Sequence, residues 1–271
     1  MTLPIDLVFI RHGESEGNIA KRQFEDGSQR PLPEGFRERH TASFRLTNRG
    51  RAQAIQAGAW LRTEFGAHHP LFDRFLTSEY IRAKETAALL TIPDARWYAD
   101  FNLAERDGGN LRFLDDEEWR KEWARALELR DAEPFFWRPP NGESFAALCQ
   151  RLRSPLGTWH RECADKRVLA VCHGEVMWGI RILRERMPQR RFRELHLSKD
   201  PADRIYNCQI LHYTRRDPES GQLARYANWM RMIRPTENPV WTTGWRSVVR
   251  PQYSNADLLT DVEQTPVLIA E

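Results

Sequence analysis

Short apolar runs alternate along the chain with longer segments in which apolar residues recur every three or four positions. Residues 5–10 read Ile-Asp-Leu-Val-Phe-Ile, and residues 168–172 read Val-Leu-Ala-Val-Cys. Runs this short and this rich in β-branched and other apolar residues are typical of strands that are buried on both faces. Similar patterns predict further strands over residues 72–76, 97–98, 205–213 and 226–233.

Helical periodicity follows the predicted strands at residues 5–10 and 72–76. Thr47 is predicted to cap a helix, because a threonine oxygen can accept a hydrogen bond from the first turn. One face of that helix is apolar or small and consists of Ala54, Gly58, Leu61 and Phe65. Ser78 is predicted to cap a second helix that ends near Leu90.

Three more helices are predicted after residue 114. Residues 115–130 are charged and helix-like, and a further helix begins at Phe145. We expect Pro155 to bend or end that helix, because proline lacks the backbone N–H that a helix interior uses. The last helix is predicted over residues 175–187.

Strands that alternate with helices favour βαβ units and therefore an α/β fold with a largely parallel sheet covered on both faces. We assign residues 1–238 to this domain. Residues 19–45 are polar and contain two glycines and two prolines, which predicts an inserted loop. Residues 239–271 have no clear periodicity and are expected to form a tail that packs on the domain or on a partner.

The composition narrows the classes of function. The 271 residues include 41 Lys and Arg and 38 Asp and Glu, and a formal net charge of +3 does not predict nucleic-acid binding. No run of about 18 apolar residues predicts a membrane span, and the N-terminal segment lacks the features of a signal peptide. The four cysteines show no C-x-x-C spacing, which indicates neither a zinc site nor a redox motif. We therefore expect a cytoplasmic protein with buried free thiols.

Two of the predicted strands end in a histidine followed by glycine. The first is followed by Arg11-His12-Gly13-Glu14-Ser15, and the strand over residues 168–172 by His173-Gly174-Glu175. Ligands of α/β sheets bind at the carboxyl ends of the strands. The two imidazoles are therefore predicted to lie in one site, together with the guanidinium of Arg11.

These motifs resemble those of the histidine phosphatase superfamily, also called the phosphoglycerate mutase-like family. Residues 11–15 match its R-H-G signature, and Asn18 matches a phosphate-contacting asparagine of many members. Residues 46–54 fit L-T-x-x-G-x-x-Q-A, residues 77–86 fit S-x-x-x-R-A-x-x-T, and residues 103–109 resemble the L-x-E-x-x-x-G segment. Residues 142–144 and the His173-Gly174 pair complete the family's motifs in their usual order along the chain. The resemblance therefore covers about residues 5–213.

The resemblance implies a three-layer α/β/α sandwich with a mostly parallel central sheet and a single active site. It implies His12 as a nucleophile that forms a phosphohistidine, and Glu105 as the proton donor. The phosphate is expected to be held by Arg11, Asn18, Arg82, His173 and the backbone amides of Gly13 or Gly174. No metal and no cofactor are implied, because always-charged guanidinium groups can match phosphate oxygens.

Other residues near the motifs are expected to have supporting roles. Glu14 competes with Glu105 as a proton donor but is expected to orient the site, and Thr86 is expected to prop Arg82. His40 lies in the inserted loop and is a weaker candidate for the pocket. The pair at residues 68–69 is interpreted as a helix-terminal dipole partner rather than a metal site. Glu175 adds a carboxylate near the entrance, with no assigned role.

The resemblance favours a phosphomonoester hydrolase of the histidine acid phosphatase type. A phosphoglycerate-type mutase is the alternative, but the segment after Glu105 offers Arg112 and Arg120-Lys121 without an adjacent arginine pair. A catalytically silent phosphate-binding module is the third possibility. The substrate is expected to be a small phosphate ester or another phosphorylated molecule, without nucleic acid or membrane as partners, and a homodimer is left open. The inserted loop, with Trp119, Trp123 and Trp137, is a candidate lid.

Overall fold

A computed structural model describes residues 3–25, 31–109 and 124–269. Its strands follow most of the predicted runs. They are β1 (Asp6–Arg11), β2 (Arg74–Ser78), β3 (Trp97–Asp100), β4 (Arg167–Cys172), β5 (Ile210–Thr214), β6 (Trp229–Arg234), β7 (Trp241–Thr242) and β8 (Arg246–Ser247).

The helices lie mainly between these strands. They are α1 (Glu16–Glu25), α2 (Asn48–Glu64), α3 (Ile81–Leu89), α4 (Ala124–Ala132), α5 (Phe145–Glu162), α6 (Gly174–Glu185), α7 (Gln189–His196) and α8 (Asn255–Glu263). Short 3-10 helices occupy Thr41–Ser43, Phe101–Leu103 and Pro201–Asp203. No helix in the described ranges combines the length and apolar character needed to cross a bilayer.

The sheet has the order β3-β2-β4-β1-β5-β6-β7, and β8 also pairs with β6. Strands β3, β2, β4 and β1 are mutually parallel, whereas β5 enters antiparallel between β1 and β6. The predicted α/β class with a mixed, mostly parallel central sheet is therefore confirmed. All four parallel strands present their carboxyl ends at one edge.

Alternate residues of β1 and β4 enter two separate apolar cores, because successive side chains of a strand point to opposite faces. One core contains Leu7 and Phe9 with residues of α5 and α6, such as Leu152. The other contains Val8 and Ile10 with residues of α2 and α3, among them Leu61, Ala83 and Ala87. Helices therefore cover both faces, which gives the three-layer arrangement.

The face predicted for the helix after Thr47 is confirmed. Thr47 Oγ1 accepts a hydrogen bond from Gly50 N at 3.0 Å, and the Ala54 face of α2 is buried. Gly50 permits a close approach of the chain after β1, since an ideal Cβ built there would lie 2.0 Å from Glu14 O. A Cβ on Gly13 would in turn lie 2.3 Å from Gly50 O. The two glycines therefore allow the site loop to rest directly on the first turn of α2.

The inserted loop is shorter than predicted, because α1 already occupies its first residues through Glu25. Ser15 accounts for the start of this helix: its carbonyl accepts from Asn18 N, and Asn18 Oδ1 accepts from Ser15 N in return. The part of the loop after residue 30 packs Phe36 on Phe44 with ring centroids 4.7 Å apart. Of the predicted 115–130 helix, the structure describes the part from Ala124 onward, in α4.

Two further predictions concern helix ends: Ser78 as a helix cap was wrong, and of the bend or end predicted at Pro155 the end is excluded. Ser78 does not cap α3, because β2 extends through Ser78 and the helix begins after Tyr80, which makes no side-chain capping bond. Pro155 does not end α5, which continues to Glu162. The apolar face of this helix is buried on both sides of Pro155, by Leu152 and by Trp159, and this burial offsets one missing backbone hydrogen bond.

The C-terminal segment is described in two parts. Residues 241–247 add β7 and β8 to the edge formed by β6, and Arg250 Nε donates to Arg184 O at 3.0 Å at the end of α6. From residue 252 to residue 269 every side chain is exposed, including those of α8. The earlier part of the predicted tail therefore lies on the domain.

Candidate active site

The predicted site residues converge at the carboxyl edge of the parallel strands. His12 follows β1 and His173 follows β4, while β2 leads into α3 with Arg82. Strand β3 leads through the turn at Phe101–Leu103 to Glu105. The ring centroids of His12 and His173 lie 5.1 Å apart, so the structure brings the two imidazoles into one cleft.

His12 is buried and held in one orientation by its own loop. Its Nδ1 lies 2.7 Å from Gly13 O, and since a carbonyl can only accept, Nδ1 carries the proton. The other ring nitrogen, Nε2, accepts a hydrogen bond from Arg82 Nε at 3.1 Å. Burial, followed by the charges of Arg82 and Arg11, holds the pKa of His12 well below its usual value near 6.5. The ring is therefore neutral near pH 7, with its lone pair on Nε2.

The two predicted arginines approach His12 from different elements. Arg82 is buried and donates through its NH1 to Thr41 O at 2.7 Å, so the loop before α2 helps to fix it. Arg11 donates through NH1 to Ile205 O at 2.6 Å. Its Nε is buried and has no hydrogen-bond partner among the described residues. A buried N–H without a partner is costly, and an anion in the cleft would satisfy it.

His173 follows β4 in the chain, packs against the segment that joins β2 to α3, and is fully buried. Its Nε2 forms a hydrogen bond with Ser78 Oγ at 2.8 Å, which explains why Ser78 does not cap α3. The ring of Tyr80 packs edge-on against His173, with centroids 5.1 Å apart, and also lies under the Arg82 guanidinium at 4.8 Å. Ser78 and Tyr80 were missed as site residues, although Ser78 begins the S-x-x-x-R-A motif.

Asn18 lies at the start of α1 and is tied to a residue that the sequence did not predict. Asn207 Nδ2 donates both to Asn18 Oδ1 and to His12 O, each at 3.0 Å. Ser15 N and Oγ donate to the same oxygen of Asn18. That oxygen is engaged by the scaffold, so a substrate contact of Asn18 falls to its amide nitrogen. Asn207 lies within the strand predicted over residues 205–213, where no motif marks it, and the structure places it before β5.

A phosphate amide was expected from Gly13 or Gly174, and the structure engages Gly13 N elsewhere. Gly13 N already donates to Thr86 Oγ1 at 3.1 Å, and the same hydroxyl donates to Arg82 O at 2.7 Å. Thr86 therefore supports Arg82, as expected, and also fixes the loop of His12. Gly174 begins α6 beside Arg11, in the first turn of a helix, where backbone N–H groups lack internal acceptors.

Glu105 follows the turn after β3, the edge strand of the sheet, and is partly buried. Burial raises its pKa, and the neighbouring Glu175 raises it further, against the charges of Arg82 and Arg11. Its Oε1 accepts from Arg106 N at 3.1 Å. The carboxyl is therefore biased towards its protonated form, which a proton donor requires.

The side chain of Arg106 pairs with Glu175 rather than with Glu105. Its Nε donates to Glu175 Oε2 at 2.8 Å and its NH2 to Oε1 at 3.1 Å, a bidentate ion pair. Burial alone would raise the pKa of Glu175, but the charge and hydrogen bonds of Arg106 outweigh burial and hold that pKa below its usual value. Two neighbouring carboxyl groups thus have opposite protonation tendencies.

A second arginine fixes the backbone that carries Glu105. Arg151 on α5 donates to the carbonyls of Asn102 and Ala104, and it forms a bidentate pair with Glu143 at 2.7 and 2.9 Å. Arg106 NH1 donates to the backbone carbonyl of the same Glu143 at 2.8 Å. Arg151 on α5 and Glu143 just before that helix therefore hold the segment around Glu105.

The remaining candidates lie further away. Glu14 accepts from Thr47 Oγ1 at 2.9 Å and pairs with Arg22 at 2.7 Å, which makes it an anchor between β1, α1 and α2. His40 caps the Thr41–Ser43 turn, and its ring centroid lies 6.4 Å from that of Tyr80 at the rim. The His pair at residues 68–69 lies beyond the end of α2. No cluster that could hold a metal ion occurs among the described residues. The candidates Arg112, Trp119, Arg120-Lys121 and Trp123 lie outside the described residues.

Comparison with known proteins gives the family. A profile of the histidine phosphatase superfamily (branch 1) matches residues 7–219. A 2,3-bisphosphoglycerate-dependent phosphoglycerate mutase of Methylobacterium radiotolerans is 35% identical over 178 residues, which are 62% of this chain and 73% of that protein. A 6-phosphofructo-2-kinase/fructose-2,6-bisphosphatase of Gallus gallus is 29% identical over 174 residues, 64% of this chain and 31% of its own length.

Solved structures share the fold. A putative alpha-ribazole-5'-P phosphatase of Escherichia coli is 23% identical, with a TM-score of 0.58 over 83% of this chain and 96% of that one. A mycobacterial glucosyl-3-phosphoglycerate phosphatase is 20% identical, with a TM-score of 0.59 over 91% of this chain and 99% of that one.

Proposed function

The chain belongs to the histidine phosphatase superfamily (branch 1), and on that premise we propose that it hydrolyses phosphate monoesters through a phosphohistidine on His12. The relatives include phosphatases and mutases, and both are phosphoryl-transfer enzymes. The observation that carries the proposal is the orientation of one imidazole. Its Nδ1 proton is held by Gly13 O, and its Nε2 lone pair is directed into a cationic cleft beside a carboxyl with a raised pKa.

In the first step, His12 Nε2 attacks phosphorus and the bond from phosphorus to the ester oxygen breaks. Glu105 gives its proton to the departing oxygen, so the leaving group departs as a neutral alcohol. Arg82 Nε, which now donates to Nε2, would donate to a phosphate oxygen instead and release the lone pair. Splitting the reaction at a phosphohistidine replaces one difficult displacement by two easier ones.

In the second step, water attacks phosphorus, the Nε2–phosphorus bond breaks and inorganic phosphate leaves. The Glu105 carboxylate takes the proton of the attacking water, and the enzyme returns to its starting state. Phosphoryl transfer depends mainly on positioning and on neutralising the charge of the equatorial oxygens. Arg11 and Arg82, with Asn18, His173 and the start of α6, supply those donors, so we propose a metal-independent reaction.

A phosphoglycerate-type mutase is the second candidate, favoured by the 35% identical relative that carries this activity. A mutase passes the phosphoryl group of a phosphohistidine to a second hydroxyl instead of to water. The ionised Glu175 faces the same cleft, and a negative charge there disfavours the second phosphate of a bisphosphate. We therefore propose hydrolysis as the main reaction.

The experiment is hydrolysis of 4-nitrophenyl phosphate with EDTA present, in the wild type and in His12→Ala. We expect turnover that EDTA does not remove and a loss on the order of 10⁵-fold in kcat for His12→Ala. Acid-labile, base-stable labelling by a ³²P substrate should appear in the wild type alone. Activity that requires added metal, or that survives in His12→Ala, would contradict the proposal.

The same assay separates the alternatives. Phosphate exchange between hydroxyls in the presence of a bisphosphate primer, with little net release of phosphate, would identify a mutase. Absence of turnover and of labelling in a folded protein would identify a silent module. A panel of sugar phosphates, nucleotides and phosphopeptides would then define the substrate class.

We also propose a cytoplasmic location, because Cys149, Cys163, Cys172 and Cys208 are all buried free thiols, as in proteins of reducing compartments.

A further inference from the structure

We propose that Glu175 is a positioning residue for the proton donor, because it holds the guanidinium of Arg106 away from the carboxyl of Glu105. The inference rests on the role of Glu105 in the proposed function. It concerns the residue directly after the His173-Gly174 pair, to which the motifs assign no role.

The geometry shows a choice between two carboxylates. Arg106 is the chain neighbour of Glu105, and its backbone N–H already donates to Glu105 Oε1 at 3.1 Å. The guanidinium nevertheless turns to Glu175, with two hydrogen bonds at 2.8 and 3.1 Å. It is held there from two further directions, by a bond to Glu143 O at 2.8 Å and by the ring of Phe145, whose centroid lies 4.6 Å from the guanidinium carbon.

The alternative pairing would disable the acid. A carboxylate that accepts from an arginine is stabilised in its ionised form, which lowers its pKa and removes the proton that it has to donate. Glu175 prevents this in two ways, since it occupies the guanidinium and adds its own negative charge beside Glu105. Both effects favour the protonated form of Glu105, in agreement with its raised pKa.

Charged and titratable groups from several elements face this pair. Around Glu105 these are Glu175 on α6, the cations Arg82, Arg11 and Arg106, and the thiol of Cys172 at the end of β4. Around Glu175 these are Arg106, Lys21 on α1 and His196 on α7. Among the groups named around Glu105, Glu175 is the one carboxylate that raises the pKa of Glu105. Its removal would leave the pKa-lowering charges of the cations without a neighbouring negative charge to oppose them.

The proposal predicts opposite shifts for the two partners of the ion pair. In Glu175→Gln, Arg106 loses its carboxylate partner and one negative charge beside Glu105 is lost, so the pKa of Glu105 falls. In Arg106→Met, a cation is lost and Glu175 stays beside Glu105, so the pKa of Glu105 rises. A merely structural ion pair would change activity in the same direction in both variants and leave the titration in place.

The experiment measures the carboxyl of Glu105 directly and through catalysis. The protein is labelled with ¹³C at glutamate side-chain carboxyls, and the Glu105 signal is assigned by its absence in Glu105→Gln. We expect its titration midpoint to fall by about one pH unit in Glu175→Gln and to rise in Arg106→Met, where one unit corresponds to a tenfold change in protonation. The control is Glu185→Gln, which breaks the bidentate pair with Arg181 on the same helix, and it should leave the midpoint unchanged.

The catalytic readout is the pH dependence of kcat/KM for an alkyl phosphate and for 4-nitrophenyl phosphate. The alkaline limb for the alkyl phosphate should move to lower pH in Glu175→Gln, with an approximately tenfold loss near neutral pH and a loss of less than about twofold for the aryl ester. An unchanged Glu105 midpoint in Glu175→Gln, with wild-type turnover intact, overturns the inference and leaves the proposed function standing. The expected opposite midpoint shifts in a protein without turnover support the inference and overturn the proposed function.

Discussion

The two sides of the cleft lie at the same edge of one sheet and impose opposite electrostatic conditions. On one side, Arg82 and Arg11 add to burial in lowering the pKa of His12. On the other side, Glu175 adds to burial in raising the pKa of Glu105. Burial disfavours the charged form of both groups, so it favours a neutral imidazole at His12 and a protonated carboxyl at Glu105. At His12 the neighbouring cations reinforce burial, whereas at Glu105 the carboxylate of Glu175 reinforces it and the same cations oppose it. The proposed nucleophile and the proposed acid therefore differ in which neighbouring charge acts with burial.

The two sides also differ in what holds them. The His12 side is fixed mainly through backbone groups, with Gly13 N on Thr86 and His12 O on Asn207. The Glu105 side is fixed by side-chain guanidinium groups, since Arg151 and Arg106 bind the carbonyls around the acid. Substitutions on the first side should therefore affect stability as well as rate, whereas those on the second should act mainly on rate.

Removing the acid tests the Glu105 side and has the largest effect expected here. Glu105→Gln cannot give a proton, so kcat/KM for an alkyl phosphate should fall by about 10²–10⁴-fold. For 4-nitrophenyl phosphate, whose leaving group needs no proton, the loss should stay below about tenfold. Asp107→Asn, an exposed neighbour on the same segment, is the control and should match the wild type. Equal losses for both esters would remove Glu105 from the role of proton donor.

Removing a cation tests the His12 side. Arg82→Gln loses a phosphate donor, and kcat/KM should fall by about 10²–10³-fold. The lost charge also lets the pKa of His12 rise towards its usual value and lets the pKa of Glu105 rise further, because Arg82 lowers both. Activity needs neutral His12 and protonated Glu105, so both limbs of the pH profile should move to higher pH.

The control for this variant is Lys84→Gln on the exposed side of the same helix, where Lys84 pairs with Glu79. It should leave the rate and both limbs where they are in the wild type. A profile of Arg82→Gln that falls in height without moving would show that Arg82 binds substrate but does not set the protonation of the site.

The smallest expected effect tests the hydrogen bond that supports the His12 loop. Thr86→Val keeps the shape of the side chain but leaves the buried Gly13 N–H without its acceptor, which should cost about 1–3 kcal/mol in the free energy of unfolding. Urea denaturation measures this cost. Thr63→Val on α2 loses a hydroxyl-to-carbonyl bond of the same kind at an exposed position, so its change should stay within about 0.5 kcal/mol. A similar cost for the two variants would argue against a buried support under His12.

Much of the fold follows from local patterns. The apolar runs at residues 5–10 and 168–172 predicted β1 and β4 to within one residue at each end, because burial on both faces leaves a continuous apolar signal. Boundaries were less accurate where a side chain has a second task. Ser78 looks like a helix cap in the sequence, yet its hydroxyl is bound to His173, which lies on a distant segment. The helix from Glu16 was missed because polar residues obscure its periodicity.

The residues of the candidate site likewise include some that motifs predicted and others that only the structure identified. The R-H-G and H-G motifs indicated that His12 and His173 meet, because carboxyl ends of parallel strands share one edge. No pattern indicated Asn207 or Thr41, since one contributes an amide and the other only a backbone carbonyl to the site. Gly13 was one of two candidates for a phosphate amide, although its N–H is used by Thr86. A backbone donor carries no sequence signal of its own, so its partner is visible only in three dimensions.

The sequence by itself determined the order of strands and helices and the chemical groups available at the strand ends, because backbone hydrogen bonding and burial follow local periodicity. Only the tertiary structure decided which partner each charged group takes. Arg106 adjoins Glu105 in the chain and yet binds Glu175 from α6. The ring of His12 is oriented by a hydrogen bond to Gly13 O and accepts another from Arg82. The pairing of charges depends on distances of a few ångströms between segments far apart in the chain, and those distances exist only after the sheet and its two layers of helices have packed.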